Sequence, residues 1–201
     1  SDRTFGTYMI CQFLLGIGNM MISAPLIIVL TDVYGMDYVQ AIALLTSIPI
    51  AMMPFVIPMW SRLFDRVHVV RFRSIHSWIF VFTNIMLIVT VATGWMTGFW
   101  IAAAMRGIAY GGGVLAWNLG HHDFSSVSAS PAYMGVHVTL TGIRGLIAPA
   151  LGVLLYEAFQ TPDPNGVITF SVSLLLGTLG AVGFVWMANH LPNNGLLTRK
   201  R

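Results

Sequence analysis

Eight of the chain's ten Lys and Arg residues fall in or at the edge of the polar breaks on one side of six long apolar runs, and no cation falls in the breaks on the other side. The runs cover residues 5–31, 39–60, 72–93, 98–118, 132–156 and 167–189, each close to the ~20 residues an α-helix needs to cross ~30 Å of hydrocarbon. Within lipid, only a helix or a closed barrel satisfies every backbone polar group, and runs of this length are helices. The expected fold is an all-α membrane protein with six transmembrane helices in one bundle. Arg3, Arg62, Arg66, Arg71, Arg73, Arg199, Lys200 and Arg201 mark one face, and Asp32, Asp37, Glu157 and Asp163 mark the other. The charge bias predicts both termini on the cytoplasmic side. The expected location is a multi-pass position in a bacterial inner membrane.

With 56% hydrophobic and 8% charged residues, the chain departs from soluble domains, which carry about 25% charge. Its basic residues flank spans instead of forming a stripe with interleaved aromatics, which argues against nucleic acid as a partner. Cys11 is the single cysteine, so an internal disulfide and a thiolate metal cluster are excluded. The chain opens on Ser1 rather than Met and is read as a piece of a longer protein.

Short breaks at residues 31–38 and 94–98 make antiparallel hairpins of the flanking helices. Pro49, Pro54 and Pro58 in the second run and Pro149 in the fifth each remove a backbone donor, which predicts kinks in those two helices. Gly107 with Gly111, Gly142 with Gly145 and Gly152, and Gly177 with Gly180 and Gly183 recur at the spacing that lets helix backbones approach closely.

Polar residues inside the spans supply the candidate binding site. Gln12, Asn19 and Ser23 share a stripe with Gly16 in the first run. In the fourth, Arg106, Tyr110, Gly113 and Trp117 share a face; in the fifth, His137, Thr141 and Arg144 do so. An arginine at mid-membrane costs at least ~2.5 kcal/mol unless paired or hydrated. No Asp or Glu lies deep in any run. Arg106 and Arg144 are therefore expected to meet a hydrated cavity, backbone carbonyls, an anionic solute, or a carboxylate supplied from outside the chain, with Arg106 the first candidate for an anion. His121, His122 and Asp123 are adjacent, but neighbours in sequence rarely converge on one ion, and no metal or other cofactor is expected. Asp123 and the following serines are read as a loop in which Ser130 caps the fifth helix and Pro131 takes its first position. No nucleophile triad, phosphate loop or paired catalytic carboxylates can be assembled, so no enzyme activity is expected.

The segment Ser61-Arg62-Leu63-Phe64-Asp65-Arg66-Val67-His68-Val69-Val70-Arg71 follows the second run on the basic side. It resembles the G-x-L-x-D-R-x-G-R-[RK] loop of the major facilitator superfamily. Ser61 and His68 replace the two glycines and Val69 the first basic residue, the degenerate form that the second, C-terminal copy takes. Gly142, Gly145, Ala148, Pro149 and Gly152 are similar to the family's glycine- and proline-rich pattern in the fifth helix. The resemblance implies the C-terminal half of a twelve-helix secondary transporter, built from two inverted three-helix repeats, with a second six-helix bundle as its partner. It implies alternating access for a small solute, coupled to a proton or ion, and a conformational latch made of Arg62, Asp65 and Arg66. Substrate contacts would come from Gln12, Asn19, Arg106, Tyr110, Trp117, His137, Thr141 and Arg144. The competing reading is a membrane scaffold or assembly factor that keeps this architecture without transport, its polar stripes plugged instead of lining a cavity.

Overall fold

The computed structural model describes residues 2–190; Arg199, Lys200 and Arg201, part of the charge argument, lie outside them. Six helices are long and apolar enough to cross a membrane: α1 (Arg3–Val33), α2 (Tyr38–Phe64), α3 (Val69–Thr93), α4 (Met96–Asp123), α5 (Ser130–Phe159) and α6 (Val167–His190). No strand occurs among the described residues.

Four of the seven acids cap helix starts, where carboxylates meet unpaired backbone donors and the positive end of the dipole. Asp2 Oδ1 accepts the Phe5 N–H at 3.0 Å at the start of α1, and Asp37 Oδ1 accepts that of Gln40 at 2.8 Å in α2. Asp163 Oδ2 accepts the Ile168 N–H at 2.6 Å in α6. At α3 the carboxylate comes from 54 residues away: Asp123 Oδ2 accepts the Val69 N–H at 2.7 Å, and His68 Nδ1 accepts that of Val70 at 3.2 Å. Together these two caps start α3 three residues before the sequence pattern suggests. Ser130 does not cap α5. The N-cap there is Ala129, with Ser130 and Pro131 already helical, and the Ser130 hydroxyl instead meets His122 Nδ1 at 3.1 Å.

Proline acts where its lost donor can be accommodated. In α2 a π-helical turn at Ala43–Ser47 immediately precedes the segment that carries Pro49, Pro54 and Pro58. By contrast, α5 is one α-helix through Pro149. The unforeseen break is in α1, at Ile22. Pro25 there cannot donate to the Met21 carbonyl, and Gly152 of α5 packs directly against that carbonyl.

The most extensive packing of α1 is against α6 and α5, and that of α4 is against α3 and α2; α3 also packs against α6. Glycines set these approaches. Gly107 and Gly111 lie against Met52 and Val56 of α2, while Gly18 meets the Ser173 carbonyl and Gly180 the Leu15 backbone between α1 and α6. The Ser173 hydroxyl donates to the Gly18 carbonyl across the same contact. Gly142 and Gly145 have nothing within 4 Å of where a Cβ would stand, so that part of the small-residue stripe is not used for packing within this bundle. Burial follows the same division: half of the most apolar 18-residue window of α3 and of α4 is buried, against 11% for α2 and 17% for α5.

Polar ties close both ends. On the basic side the Tyr133 hydroxyl donates to Asp2 Oδ2 at 3.1 Å, and His68 Nε2 lies 3.2 Å from the Asp123 carbonyl. On the other side Tyr34 Oη and Asn165 Nδ2 both donate to the Val91 carbonyl, at 2.7 and 3.0 Å. Just beyond Val91, Gly94 adopts φ 71° and ends α3 in the left-handed conformation that glycine reaches without strain.

Candidate functional site

Between α1 and α4, in the middle of the bundle, lies an open cavity of about 410 Å³. Helix α1 contributes Gln12, Gly16, Asn19 and Ser23, its whole polar stripe, together with Leu15 and Met20. Helix α4 contributes Tyr110, Gly113, Val114 and Trp117. These two sets were recognisable as faces because residues three, four, seven and eleven apart fall on one side of a helix. Met53 of α2, Arg73 and Phe80 of α3 and Arg144 of α5 complete the lining.

Two arginines line this cavity and no carboxylate does. Arg144 is 7% exposed. Its Nη1 donates to the Gln12 carbonyl at 2.9 Å, and its Nε has no partner. Space for the guanidinium exists because residue 16 is glycine: a Cβ there would stand 2.7 Å from Arg144 Nε. Arg73, 2% exposed, reaches His76 Nδ1 with Nη1 at 3.5 Å, and its own Nε is also without a partner. The two cations line the same cavity with no carboxylate beside them. Gln12 Oε1 is a further buried polar atom without a partner.

Arg73 is the residue the sequence pattern hides. Counted as a loop cation on the basic side, it lies a full turn inside α3 because His68 and Asp123 start that helix at Val69. A signal was present: Arg73, His76, Ser77, Phe80 and Asn84 fall at i, i+3, i+4, i+7 and i+11, a polar face in an otherwise apolar run. His76 on that face serves packing, with Nε2 held 2.8 Å from the Ala109 carbonyl and its ring stacked on Phe72.

Arg106 stands elsewhere. It is as buried as Arg144, at 7% exposure, but it borders a separate gap of about 10 Å³ whose walls are Leu26, Leu30, Leu44, Leu87, Phe99, Ala102 and Ala103. That is room for about one water. Arg106 and Tyr110 share a helical face in the sequence, yet only Tyr110 reaches the large cavity. The expectation that Arg106 borders that cavity is therefore corrected in favour of Arg144 and Arg73.

His137 and Thr141 support the cavity from behind. Trp117 Nε1 donates to Thr141 Oγ1 at 3.3 Å, and the His137 ring meets Trp117 edge-on at 5.4 Å. His137 is fully buried and both its ring nitrogens lack partners. The residues expected to form a latch, Arg62, Asp65 and Arg66, lie exposed at the C-terminal end of α2, where Asp65 is the C-cap. The helix start nearest to them in sequence, that of α3, takes its carboxylate from Asp123. His122 and Asp123 are engaged by Ser130 and by Val69, and no group of three metal-ligating side chains occurs among the described residues.

No family model, curated protein or solved structure matches this chain.

Proposed function

We propose that the chain is a six-helix half of a secondary transporter, similar to the C-terminal half of the major facilitator superfamily, that moves a small solute by alternating access. The observation that carries this reading is the open cavity of about 410 Å³ between the polar stripes of α1 and α4. Its volume falls in the range of small-molecule sites. A scaffold that had lost transport would have those stripes plugged by side chains, and here Gln12, Asn19 and Ser23 line open space instead.

The packing supports a two-repeat organisation. Exchanging α1, α2 and α3 with α4, α5 and α6 turns the pair α1–α5 into α4–α2 and the pair α1–α6 into α4–α3, while α3–α6 maps onto itself. Since three spans are an odd number, the second triplet enters the membrane from the opposite side, and the repeats are inverted. The exchange pairs α2 with α5, the two least buried spans, on either side of the cavity. A second bundle packed on α2 and α5 would close the cavity and rock against it. The positive-charge bias argues for both termini in the cytoplasm, with Arg62, Asp65 and Arg66 at the level where the two bundles would meet and part.

The test uses cysteine accessibility in the whole protein in sealed membrane vesicles, in a Cys11→Ala background. Arg71→Cys and Asp163→Cys report opposite sides of the membrane. Asn19→Cys, inside the cavity, reacts with a membrane-impermeant thiol reagent added from either side, because the cavity opens to each in turn. Labelling of Asn19→Cys from one side only, or not at all, refutes alternating access and leaves the scaffold.

A further inference from the structure

We infer that the solute is a small amphiphilic organic anion whose charged group binds between Arg144 and Arg73 and whose apolar body lies on the wall formed by Phe80 and Tyr110. This rests on the cavity reading above and gives it a substrate class.

The electrostatic part follows from what the lining contains. Two guanidiniums converge on one cavity from different helices, α5 and α3, and none of the lining residues is acidic. Both are more than nine-tenths buried, so water screens two like charges on one cavity only weakly. Buried cations are retained where they are paired. Arg144 has one of its five donors on the Gln12 carbonyl, which fixes the group without neutralising it. The packing of this guanidinium directly against Gly16, where any side chain would take its place, is a second sign that the protein accommodates it at the cavity and does not displace it toward lipid. A carboxylate or sulfonate is the complementary group, since a guanidinium donates to either with two parallel N–H groups.

The apolar part follows from the remaining walls. Phe80 and Tyr110 approach with ring centroids 6.2 Å apart, and Met20, Met53 and Trp117 complete a surface that offers few hydrogen-bonding atoms. An inorganic anion would leave that surface against water. A carboxylate attached to a ring or a short chain covers it, and thioether side chains adapt to different shapes.

The experiment reads the cavity's potential without knowing the substrate. Val114→Cys is introduced with Cys11→Ala into the whole protein, reconstituted in vesicles of phosphatidylcholine alone. It is labelled with a sulfonate-bearing and with a trimethylammonium-bearing methanethiosulfonate. Each rate is divided by that of the same reagent with free cysteine. The anionic reagent reacts faster by about tenfold. Arg144→Gln and Arg73→Gln each reduce that preference severalfold, while Arg144→Lys, which keeps the charge and controls for folding, retains most of it. Benzoate protects the cysteine, and acetate and benzamide protect it at least tenfold less well. A faster cationic reagent, or a preference untouched by Arg144→Gln, overturns the anion assignment and leaves the cavity standing. If neither reagent reacts, the cavity is dry and the transport reading falls with it. If adding phosphatidylglycerol protects and benzoate does not, the occupant is a lipid headgroup and the solute proposal is wrong.

Discussion

Arg106 and Arg144 are equally buried, each at 7% exposure, each in the middle of a long apolar helix, and their surroundings have almost nothing in common. Around Arg144 stand a glycine that makes room for it, a carbonyl that holds it, a second arginine on the same cavity and about 410 Å³ of open space. Around Arg106 stand leucines, a phenylalanine and alanines, with space for about one water. Depth in the membrane makes an arginine costly in both places. What distinguishes a binding residue is therefore the supporting shell and the volume in front of it, neither of which depth in the sequence reports.

The widest separation of the two regions is expected from Gly16→Ala. The new methyl group would occupy the position of the Arg144 guanidinium, and overpacking of this kind costs about 1–3 kcal/mol. The midpoint of thermal unfolding in detergent should fall accordingly. The anionic preference at Val114→Cys should drop with it, because the displaced cation no longer faces the cavity. If Gly16→Ala leaves both quantities at their parent values, the guanidinium is mobile and the built character of the site is lost. Nothing comparable is expected at the other arginine, since no glycine is among the residues that wall its gap.

A smaller effect of opposite sign is expected from Arg106→Met. Replacing an isolated buried cation by an apolar side chain of similar length is commonly neutral or stabilising, and the walls of this gap are already apolar. Unfolding should shift upward by about 1 kcal/mol, with the labelling preference in the large cavity unchanged. A loss of stability of 2 kcal/mol or more, judged against the usual range for buried ion pairs broken from one side, would mean that Arg106 holds a partner and that the contrast between the two regions has been misread.

The number of spans and the chemistry of α1 and α4 were legible in the sequence, because run length, charge position and the 3.6-residue period report directly on lipid exposure and facing. Every residue of the stripe Gln12, Asn19 and Ser23 does line the cavity. Arg73 was not legible as a cavity residue, since the start of its helix depends on Asp123, a residue in a different loop. Nor could the division between Arg106 and Arg144 be seen: Tyr110 and Arg106 lie one turn apart on one face, and the cavity ends between them. Helix breaks followed local rules only in part. Pro149 leaves α5 continuous, whereas α1 breaks at Ile22, three residues before Pro25, with Gly152 packed on the carbonyl next to the break.

The smallest expected effect is the most specific test of what creates the cavity's potential. Trp117 forms part of the cavity wall and is held by one hydrogen bond, from its Nε1 to Thr141 Oγ1 at 3.3 Å, with the His137 ring against its edge. Thr141→Val keeps the shape of the side chain and removes the acceptor, so the indole N–H is left without its partner at a cost of about 0.5–1.5 kcal/mol. No charge changes, and Arg144, three residues further along α5, keeps its bond to the Gln12 carbonyl. Thermal unfolding should move down by that amount, and the ratio of anionic to cationic labelling at Val114→Cys should stay within about twofold of the parent, a shift of ~0.4 kcal/mol. Should Thr141→Val instead lower the ratio as far as Arg144→Gln does, the preference would originate in the wall and its hydration, and the guanidiniums would be bystanders to it.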